Sequence, residues 1–381
     1  MIYPCNSKQP GEVNHHMRML KQNTFLMSCE QYCCIFASLF PKLFVSGTMA
    51  WSLYVMLVIV PNYTESQFAL YIQSSIAILL FTLCMIAYFR TIHTGPGSPL
   101  DYPQLKIDHF SENPFDDSRG LNGTTGPRPN QEPPEFMTVH TLKLGGNQGF
   151  RYCGKCNCWK PDRTHHCSKS GKCILKMDHY CPWFSICIGY FNYKFFVQFL
   201  YYTAAYCWIA FGITFKILYD IFATDKYQED YISINLILLC VLSLTFGISL
   251  GLFAAFSLYM ISKNTTTIEF QEQRWNYRGI DRYNYEFDAN GKQKKLSNIF
   301  DLGKRRNFKE VFGDGWWTWL LPVSVTEKVA NAGCRNGINF KINDEVYKKW
   351  CHNAELQNQL NEQLLSFKDR VRRERETYVE V

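Results

Sequence analysis

Charged side chains are almost absent from four long stretches of this 381-residue chain, and their absence sets the broad class of the protein. Each stretch has between 18 and 30 residues, and together they contain a single lysine. About 20 apolar residues are enough to cross a bilayer as a helix, and four such stretches are not expected as core helices of one soluble domain. The chain is therefore predicted to be an all-α polytopic membrane protein, with transmembrane helices at residues 43–60, 68–89, 195–219 and 232–261.

Other features that the sequence lacks exclude further classes. No cleavable signal-peptide pattern precedes the first stretch, because the residues before it are polar and have little basic bias. The first span is therefore expected to serve as the membrane signal. The chain has no internal repeats, and its 40 basic residues flank the spans instead of forming one stripe. Nucleic acid is consequently not expected as a partner.

Lysine and arginine, which accumulate in cytosolic loops, are unevenly distributed around the spans. The short loop 61–67 has none, and the loop 220–231 has one against four acidic residues. Residues 1–42 have four, residues 90–194 have 13, and the tail after residue 261 has 21. These counts predict that both termini and the central loop are cytosolic. Endomembrane, vacuolar and plasma membranes all suit such spans.

The spans divide the chain into six parts. In order, these are a cytosolic N-terminal segment (1–42), the first two spans (43–89), a cytosolic loop (90–149), a cysteine-rich domain (150–194), the last two spans (195–261) and a cytosolic tail (262–381). The tail contains GWWTWLLPV, which is too short to span and is predicted to be either an interfacial anchor or a small packed core. An amphipathic helix is predicted around residues 343–377, and both substrate recruitment and bilayer binding through its basic end are consistent with it.

The cysteine-rich domain has the spacing of a zinc site. Seven of the 16 cysteines lie between residues 153 and 187, and thiols on the cytosolic side stay reduced. Cys153 and Cys156 form a C-x-x-C, the tight turn that presents two thiolates to one tetrahedral Zn²⁺. His166 and Cys173 complete a set of three cysteines and one histidine. A second complete set is not supported, because the position three after Cys167 is Ser170.

The stretch KMDHYCPW carries a second kind of chemistry. Asp178, His179 and Cys181 supply an acid, an imidazole and a thiol within four positions. A cysteine becomes a good nucleophile when a nearby base raises its thiolate fraction, and an aspartate can orient that base. Taken alone, however, D-H-x-C is common by chance. A zinc-ligand set and a nucleophile with its base are equally good interpretations of these residues by themselves.

The wider segment, residues 152–196, resembles the cysteine-rich domain of the Asp-His-His-Cys family of integral-membrane protein S-acyltransferases, the palmitoyltransferases. The motifs that carry the resemblance are KPDRTHHCS, CILKMDH, CPW, C-I-G and NYKFF. Outside this domain, TGPG at residues 94–97 stands where the family has Asp-Pro-Gly, and TTIE at residues 266–269 matches its Thr-Thr-x-Glu motif. NIFDLGKRRNFKEVFG is similar to the C-terminal motif of the family and has Asn307 at its key asparagine.

This resemblance covers residues from about 40 to 315 and implies a two-step reaction. Cys181 would attack the thioester of a long-chain acyl-CoA such as palmitoyl-CoA, and the acyl group would then pass to a cytosolic cysteine of a membrane-associated protein. His179 would be the general base, and Asp178 would orient it. Thr267 is expected to hydrogen-bond that aspartate. With Tyr180 in place of the second histidine, the Asp-His-Tyr-Cys motif is similar to that of certain fungal members. This chain lacks the ankyrin repeats that some of those members carry.

The same resemblance suggests how CoA is held. Lys160 and Arg163 match the basic pair in the Lys-Pro-x-Arg motif of the family, so they are candidates to meet the CoA phosphates. Ordinary solvated charge is an equally good interpretation of both.

Two departures from the family concern zinc. The family usually holds two ions, each bound by three cysteines and one histidine. In the second set only Cys167 and Cys187 are present, since Ser170 and Tyr180 stand at the other two ligand positions. The sequence therefore predicts one structural zinc and a second corner held by packing and hydrogen bonds. A catalytically degenerate member that acts as a membrane adaptor or scaffold is the alternative function.

Overall fold

A computed structural model describes residues 20–108, 131–141, 149–223, 232–275, 285–287, 292–326 and 335–379. Four long helices contain the apolar stretches: α1 (Leu20–Tyr54), α2 (Gln67–Thr94), α3 (Tyr193–Ala223) and α4 (Ile234–Ser262). A π-helical turn, Val55–Ile59, and a 3₁₀ turn, Val60–Tyr63, extend α1.

Each of these helices is long and apolar enough to cross a membrane, which confirms the predicted multi-pass architecture. The apolar segments are Phe36–Tyr63, Gln67–Thr94, Tyr193–Ala223 and Ile234–Ser262. They begin and end a few residues outside most of the predicted stretches, because hydropathy selects only the apolar centre of a helix. The α2 helix, for example, begins after Ser66, whose hydroxyl accepts a hydrogen bond from the Ala69 amide at 3.4 Å and caps it.

The cysteine-rich domain between α2 and α3 consists of three antiparallel hairpins. They pair β1 (Arg151–Cys153) with β2 (Cys158–Lys160), β3 (His165–Cys167) with β4 (Lys172–Ile174), and β5 (His179–Cys181) with β6 (Ile186–Ile188). These strands were not predicted, since a three-residue strand is too short to show a period of two. Their turns require positive φ at Asn157, Gly171 and Ser185.

Glycines join the domain to the membrane helices. After α2 ends, Gly97 adopts a φ of 81°, and a Cβ atom there would lie 2.3 Å from the Phe191 ring. The carbonyl oxygen of Gly97 accepts a hydrogen bond from the Leu175 amide at 3.2 Å, and that of Pro96 accepts one from the Phe191 amide at 3.3 Å. The TGPG loop therefore packs directly on the cysteine-rich domain, with no room for a larger residue at position 97.

The tail after α4 is mostly helical. It contains α5 (Thr267–Trp275), the hairpin of β7 (Tyr285–Phe287) and β8 (Gln293–Lys295), α6 (Lys304–Phe312), α7 (Trp316–Leu320) and α8 (Asp344–Val379). The last helix confirms the one predicted around residues 343–377. It is anchored at its start, where the amide of Asn343 donates to the carbonyl of Ile299 at 2.7 Å.

Candidate active site

Two hairpins of the cysteine-rich domain bring the predicted zinc ligands together. Cys153 lies in β1 and Cys156 in the turn that follows, while His166 and Cys173 face each other across the β3–β4 pair. The His166 Nδ1 atom lies 3.6, 3.2 and 3.9 Å from the sulfurs of Cys153, Cys156 and Cys173. All four ligand atoms lie within 4.8 Å of one another.

This arrangement fits a tetrahedral zinc ion. Zinc bonds of about 2.3 Å to sulfur and about 2.0 Å to nitrogen place neighbouring ligand atoms between about 3 and 4 Å apart, as the three thiol–imidazole distances are here. Three thiols and one imidazole are also the donor set that Zn²⁺ prefers. The cluster can therefore hold a metal ion of this kind. Among the described residues, no other group of three or more metal-binding side chains lies close enough together.

A second corner stands where a second zinc would be bound in the family pattern. Tyr180 and Cys187 are cross-strand partners in the β5–β6 hairpin, and Cys167 packs in the same apolar cluster. The Cys187 thiol donates to the Ser170 hydroxyl at 3.5 Å. The corner thus contains two thiols, one hydroxyl and one phenol, joined by a hydrogen bond and packing.

The acid, imidazole and thiol of KMDHYCPW are linked in that order by hydrogen bonds. Strand β5 places His179 and Cys181 two residues apart, so both side chains point to the same side of the strand. The Asp178 carboxylate accepts a hydrogen bond from the Nδ1 atom of His179 at 2.8 Å, which leaves Nε2 for the thiol. Burial of the ring lowers the pKa of His179, but its hydrogen bonds to Asp178 and Cys181 outweigh this effect and raise that pKa to about 9.

Cys181 itself is buried, and its surroundings are apolar. Only 6% of the residue is exposed, and it belongs to a cluster contributed by the cysteine-rich domain, the membrane helices and α6. The His179 ring meets the Phe196 ring of α3 edge-on at 5.2 Å. The reactive groups therefore lie where the cysteine-rich domain meets the membrane helices.

The start of α5 holds the aspartate from the opposite side. The amide of Thr267 donates to the Asp178 carboxylate at 2.9 Å, and the Thr267 hydroxyl donates to the Asp178 carbonyl at 2.5 Å. Each carboxylate oxygen thus has one partner, so the side chain cannot rotate without breaking a bond. The expected contact between Thr267 and this aspartate is present.

Arg163 connects the same helix to the cysteine-rich domain. It is 3% exposed, and its guanidinium donates to both carboxylate oxygens of Glu269, at 2.7 and 2.8 Å. It also donates to the Asn264 side chain at 2.9 Å and to the Asn264 carbonyl at 2.8 Å. Glu269 closes a capping box as well, since it accepts from the Thr266 amide at 3.0 Å while its own amide donates to the Thr266 hydroxyl at 3.2 Å.

Comparison with known proteins identifies the family. Residues 146–274 match the family model for the DHHC palmitoyltransferase. Palmitoyltransferase PFA3 of Candida albicans is 52% identical over 94% of this chain and 97% of its own length. The chain belongs to the DHHC palmitoyltransferase family. Palmitoyltransferases PFA3 of Debaryomyces hansenii and Saccharomyces cerevisiae are 44% and 34% identical, over 96% and 85% of this chain and 97% and 91% of their own lengths.

Membership of the DHHC family confirms the resemblance found in the sequence, including its fungal character, and makes the chain a protein S-palmitoyltransferase. No comparison favours the adaptor alternative. The DHHC match also begins just before the cysteine-rich domain and ends within α5, so it covers both the zinc-ligand cluster and the Thr267 contact.

Two other predicted residues of the DHHC pattern have clear positions. Asn307 is buried in α6, where its side-chain amide donates to the Ser262 carbonyl at 2.8 Å and to the Asp301 carboxylate at 2.7 Å. It thereby ties α6 to the end of α4. Lys160 lies in β2 opposite Arg151 and is partly exposed. Its contact with CoA stays a prediction.

Three polar residues that were not predicted also brace the DHHC site. Asn192 is fully buried between α2 and α3, where its side chain accepts from the Gly189 amide and donates to the Thr91 and Cys187 carbonyls. Lys176 donates to the Asn264 side chain at 3.3 Å, and burial together with the nearby arginine lowers the pKa of Lys176 to about 7. Asn192 and Lys176 belong to the NYKFF and CILKMDH motifs, which gave their positions a signal, whereas Asn264 stands two residues before TTIE and outside every recognised motif.

Proposed function

We propose that this chain moves a long-chain acyl group from acyl-CoA to cysteine thiols of membrane-associated proteins through an acyl-enzyme intermediate on Cys181. The observation that carries the proposal is the series of hydrogen bonds from Thr267 through Asp178 and His179 to Cys181. It is the arrangement that nucleophilic catalysis by a thiol requires, with the base oriented by a third group. Family membership supplies the palmitoyltransferase activity, and the geometry supports the roles of these residues.

In the first step, the Cys181 thiol gives its proton to the Nε2 atom of His179, and its sulfur attacks the thioester carbon of acyl-CoA. The bond between that carbon and the CoA sulfur breaks. The CoA thiolate leaves and takes the proton from the imidazolium. The product is an acyl group in thioester linkage to Cys181, with free CoA.

In the second step, a cysteine thiol of the protein substrate gives its proton to His179 and attacks the acyl-Cys181 thioester. The Cys181 thiolate is the leaving group and regains a proton from the imidazolium. Asp178 accepts a hydrogen bond from the Nδ1 atom of His179 throughout, which fixes the tautomer of the ring and stabilises the imidazolium. No oxidant or other co-reactant is needed, since one thioester is exchanged for another.

The apolar surroundings of Cys181 support a long acyl chain as the transferred group. Phe184 and Phe196, together with side chains of α2 and α4, form the cluster around the thiol. An acyl chain at this position would leave the water and meet hydrocarbon side chains, which stabilises it by about 0.8 kcal/mol for each buried methylene. The bilayer around the spans is the natural source of such a donor.

We propose one structural zinc ion for the chain, held by Cys153, Cys156, His166 and Cys173. Its chemistry would be to cross-link the first two hairpins, as structural zinc sites do. The second hairpin leads directly into β5, and the Met177 amide between them donates to the Arg163 carbonyl at 3.1 Å, so the ion would help to position the nucleophile without taking part in the transfer.

The two basic residues of the Lys-Pro-x-Arg motif are proposed to differ in role. The hydrogen bonds of the Arg163 guanidinium go to Glu269 and Asn264, so we assign this side chain to bracing the start of α5. Lys160 is partly exposed and lies on the hairpin that also carries zinc ligands. It is the better of the two candidates to meet a CoA phosphate.

The distribution of Lys and Arg supports a cytosolic position for both termini and for the cysteine-rich domain. The protein substrates would then be membrane-associated proteins with cytosolic cysteines near the bilayer surface. This follows from the position of Cys181, which lies where the cysteine-rich domain meets the spans.

The proposal is tested by incubating the purified protein with acyl-labelled palmitoyl-CoA. We expect a covalent label that hydroxylamine releases, because hydroxylamine cleaves thioesters. Cys181→Ser is expected to lose this label while retaining its zinc, and Cys351→Ser, which changes a partly buried cysteine in α8, is the matched control. A label that persists in Cys181→Ser would overturn the assignment of the nucleophile.

A further inference from the structure

The tail segment WWTWLLPV (residues 316–323) packs against membrane helices. It follows α6 and begins with the short helix α7. Within it, the Trp319 ring stacks on Phe308 of α6 at a centroid distance of 5.9 Å and meets Phe312 of α6 at a tilt at 5.8 Å. One side of the WWTWLLPV segment therefore belongs to a small packed core, which was one of the two interpretations of the sequence.

Five consecutive carbonyl groups of the WWTWLLPV segment accept hydrogen bonds from side chains of α2 and α3. Gln198 donates to the carbonyls of Trp319 and Leu321, both at 3.0 Å, and Tyr202 donates to that of Leu320. Lys194 donates to the Val323 carbonyl at 2.7 Å. The Arg90 guanidinium of α2 donates to the remaining carbonyl, that of Pro322, at 2.8 Å.

The three donors of α3 form one row. Lys194, Gln198 and Tyr202 are spaced four residues apart, so they share a face of the helix. The helix has 31 residues and is about 46 Å long. A hydrocarbon core about 30 Å thick, centred on α3, leaves about 8 Å of helix on each side and places Tyr202 about 5 Å inside the hydrocarbon.

The other side of the WWTWLLPV segment is apolar and exposed. Trp316 is 77% exposed and Leu320 is 59% exposed, and Trp317 and Leu321 are also exposed. Residues 315–326 contain no charged side chain. Exposed tryptophan and leucine side chains beside membrane helices are typical of a surface that contacts lipid.

We propose that the WWTWLLPV segment is a re-entrant membrane insertion whose partner is the lipid hydrocarbon of the leaflet next to the cysteine-rich domain. Backbone carbonyls cannot face hydrocarbon without a hydrogen-bond partner. The row of donors on α3, with Arg90, supplies these partners and allows an irregular segment to enter the bilayer. A water-exposed tail would need no such row, because water would satisfy the carbonyls.

The insertion also connects the bilayer to the candidate active site around Cys181. Phe312, which Trp319 contacts, belongs to the same apolar cluster as Cys181. Insertion of the WWTWLLPV segment into the lipid would therefore hold α6 against the helices that surround the Cys181 thiol.

Photochemical labelling from the lipid side tests the insertion. The full-length protein is placed in nanodiscs of phosphatidylcholine with a diazirine in the acyl chain, irradiated, and digested for mass spectrometry. Adducts on Trp316 and Trp317 are expected at the level of Leu252, an exposed residue of α4, and about tenfold above those on Lys155 of the cysteine-rich domain. Labelling of the two tryptophans at the level of Lys155 would overturn the proposal.

Substitution at one position sharpens the test. Trp316→Glu places a charge in hydrocarbon and should reduce adducts on residues 316–323 by about tenfold, whereas Trp316→Phe should keep them. Because Trp316 is mostly exposed, neither change removes packing, and zinc content serves as the folding control. Trp316→Glu should also slow transfer of the acyl label several-fold. Wild-type lipid labelling in Trp316→Glu would contradict a membrane insertion.

Discussion

Two corners of the cysteine-rich domain have the same backbone design and different chemistry. In the first corner, His166 and Cys173 face each other across a hairpin and meet two further thiols, so the side chains can hold a metal ion. In the second, Tyr180 and Cys187 face each other in the same way, and a hydrogen bond from Cys187 to Ser170 closes the corner. The comparison shows how one fold accommodates a metal site in one place and packing in another.

The strand β5 explains why the second corner can change without loss of the proposed catalytic residues. Side chains alternate along a strand, so Tyr180 points to the opposite side from His179 and Cys181. Thr267 holds Asp178 from the tail, and Asn192 holds the Cys187 carbonyl from the start of α3. The position of the nucleophile therefore has supports that do not depend on a second ion.

The largest expected difference between the corners is in folding. Cys173→Ala removes a zinc ligand, and structural zinc sites contribute about 10 kcal/mol or more to folding. Cys187→Ala removes one buried thiol and one hydrogen bond, at a cost of about 1 to 3 kcal/mol. Yield of monodisperse protein and bound zinc should collapse in the first variant and persist in the second. Equal losses in both would contradict the division into a metal corner and a packed corner.

The next largest effect concerns the proposed catalytic groups, Asp178, His179 and Cys181, beside the second corner. Asp178→Asn retains an acceptor for the Thr267 amide but weakens the hydrogen bond to His179 Nδ1. We expect the rate of Cys181 acylation to fall by about 10²- to 10⁴-fold, the usual contribution of an oriented general base. Zinc content should not change. A rate within a few-fold of the wild type would show that Asp178 does not orient the base.

Much of the architecture was predictable because its signals are local. Runs of apolar residues predicted four spans, and the spacing from Cys153 to Cys173 predicted a cluster that the structure brings together. Pairings across the chain were less accessible. The bond from Arg163 to Glu269 joins residues 106 positions apart, so no window of sequence contains both. For the same reason, the row of donors on α3 could be recognised only once the WWTWLLPV segment was seen beside it.

A smaller effect is the pH dependence of stability, which distinguishes the His179–Asp178 pair from the second corner beside it. The folded-state pKa of His179 is raised to about 9, above its ordinary value of 6.5, so its stabilising contribution is full below about pH 6.5 and is lost as pH rises through 9. The stability difference between wild type and His179→Gln should therefore shrink by about 3 kcal/mol between pH 6 and pH 10. Thermal unfolding across this range measures it. A difference that does not vary with pH would contradict the ion pair with Asp178.

The smallest expected effect lies in the second corner itself. Ser170→Ala removes the acceptor of the Cys187 hydrogen bond, which contributes about 0.5 to 1.5 kcal/mol. Burial raises the pKa of Cys187 to about 12, so this contribution should stay constant between pH 6 and pH 10. The same unfolding experiment measures it beside His179→Gln. A loss of zinc in Ser170→Ala would show that this corner does bind metal.

Metal analysis of the purified protein tests the difference between the corners most directly. We predict close to one zinc ion per chain, bound by the cluster that contains His166 and Cys173. The double variant Ser170→Cys, Tyr180→His restores a set of three thiols and one imidazole with Cys167 and Cys187, and its zinc content should rise to two. Close to two zinc ions in the wild-type protein would contradict the account.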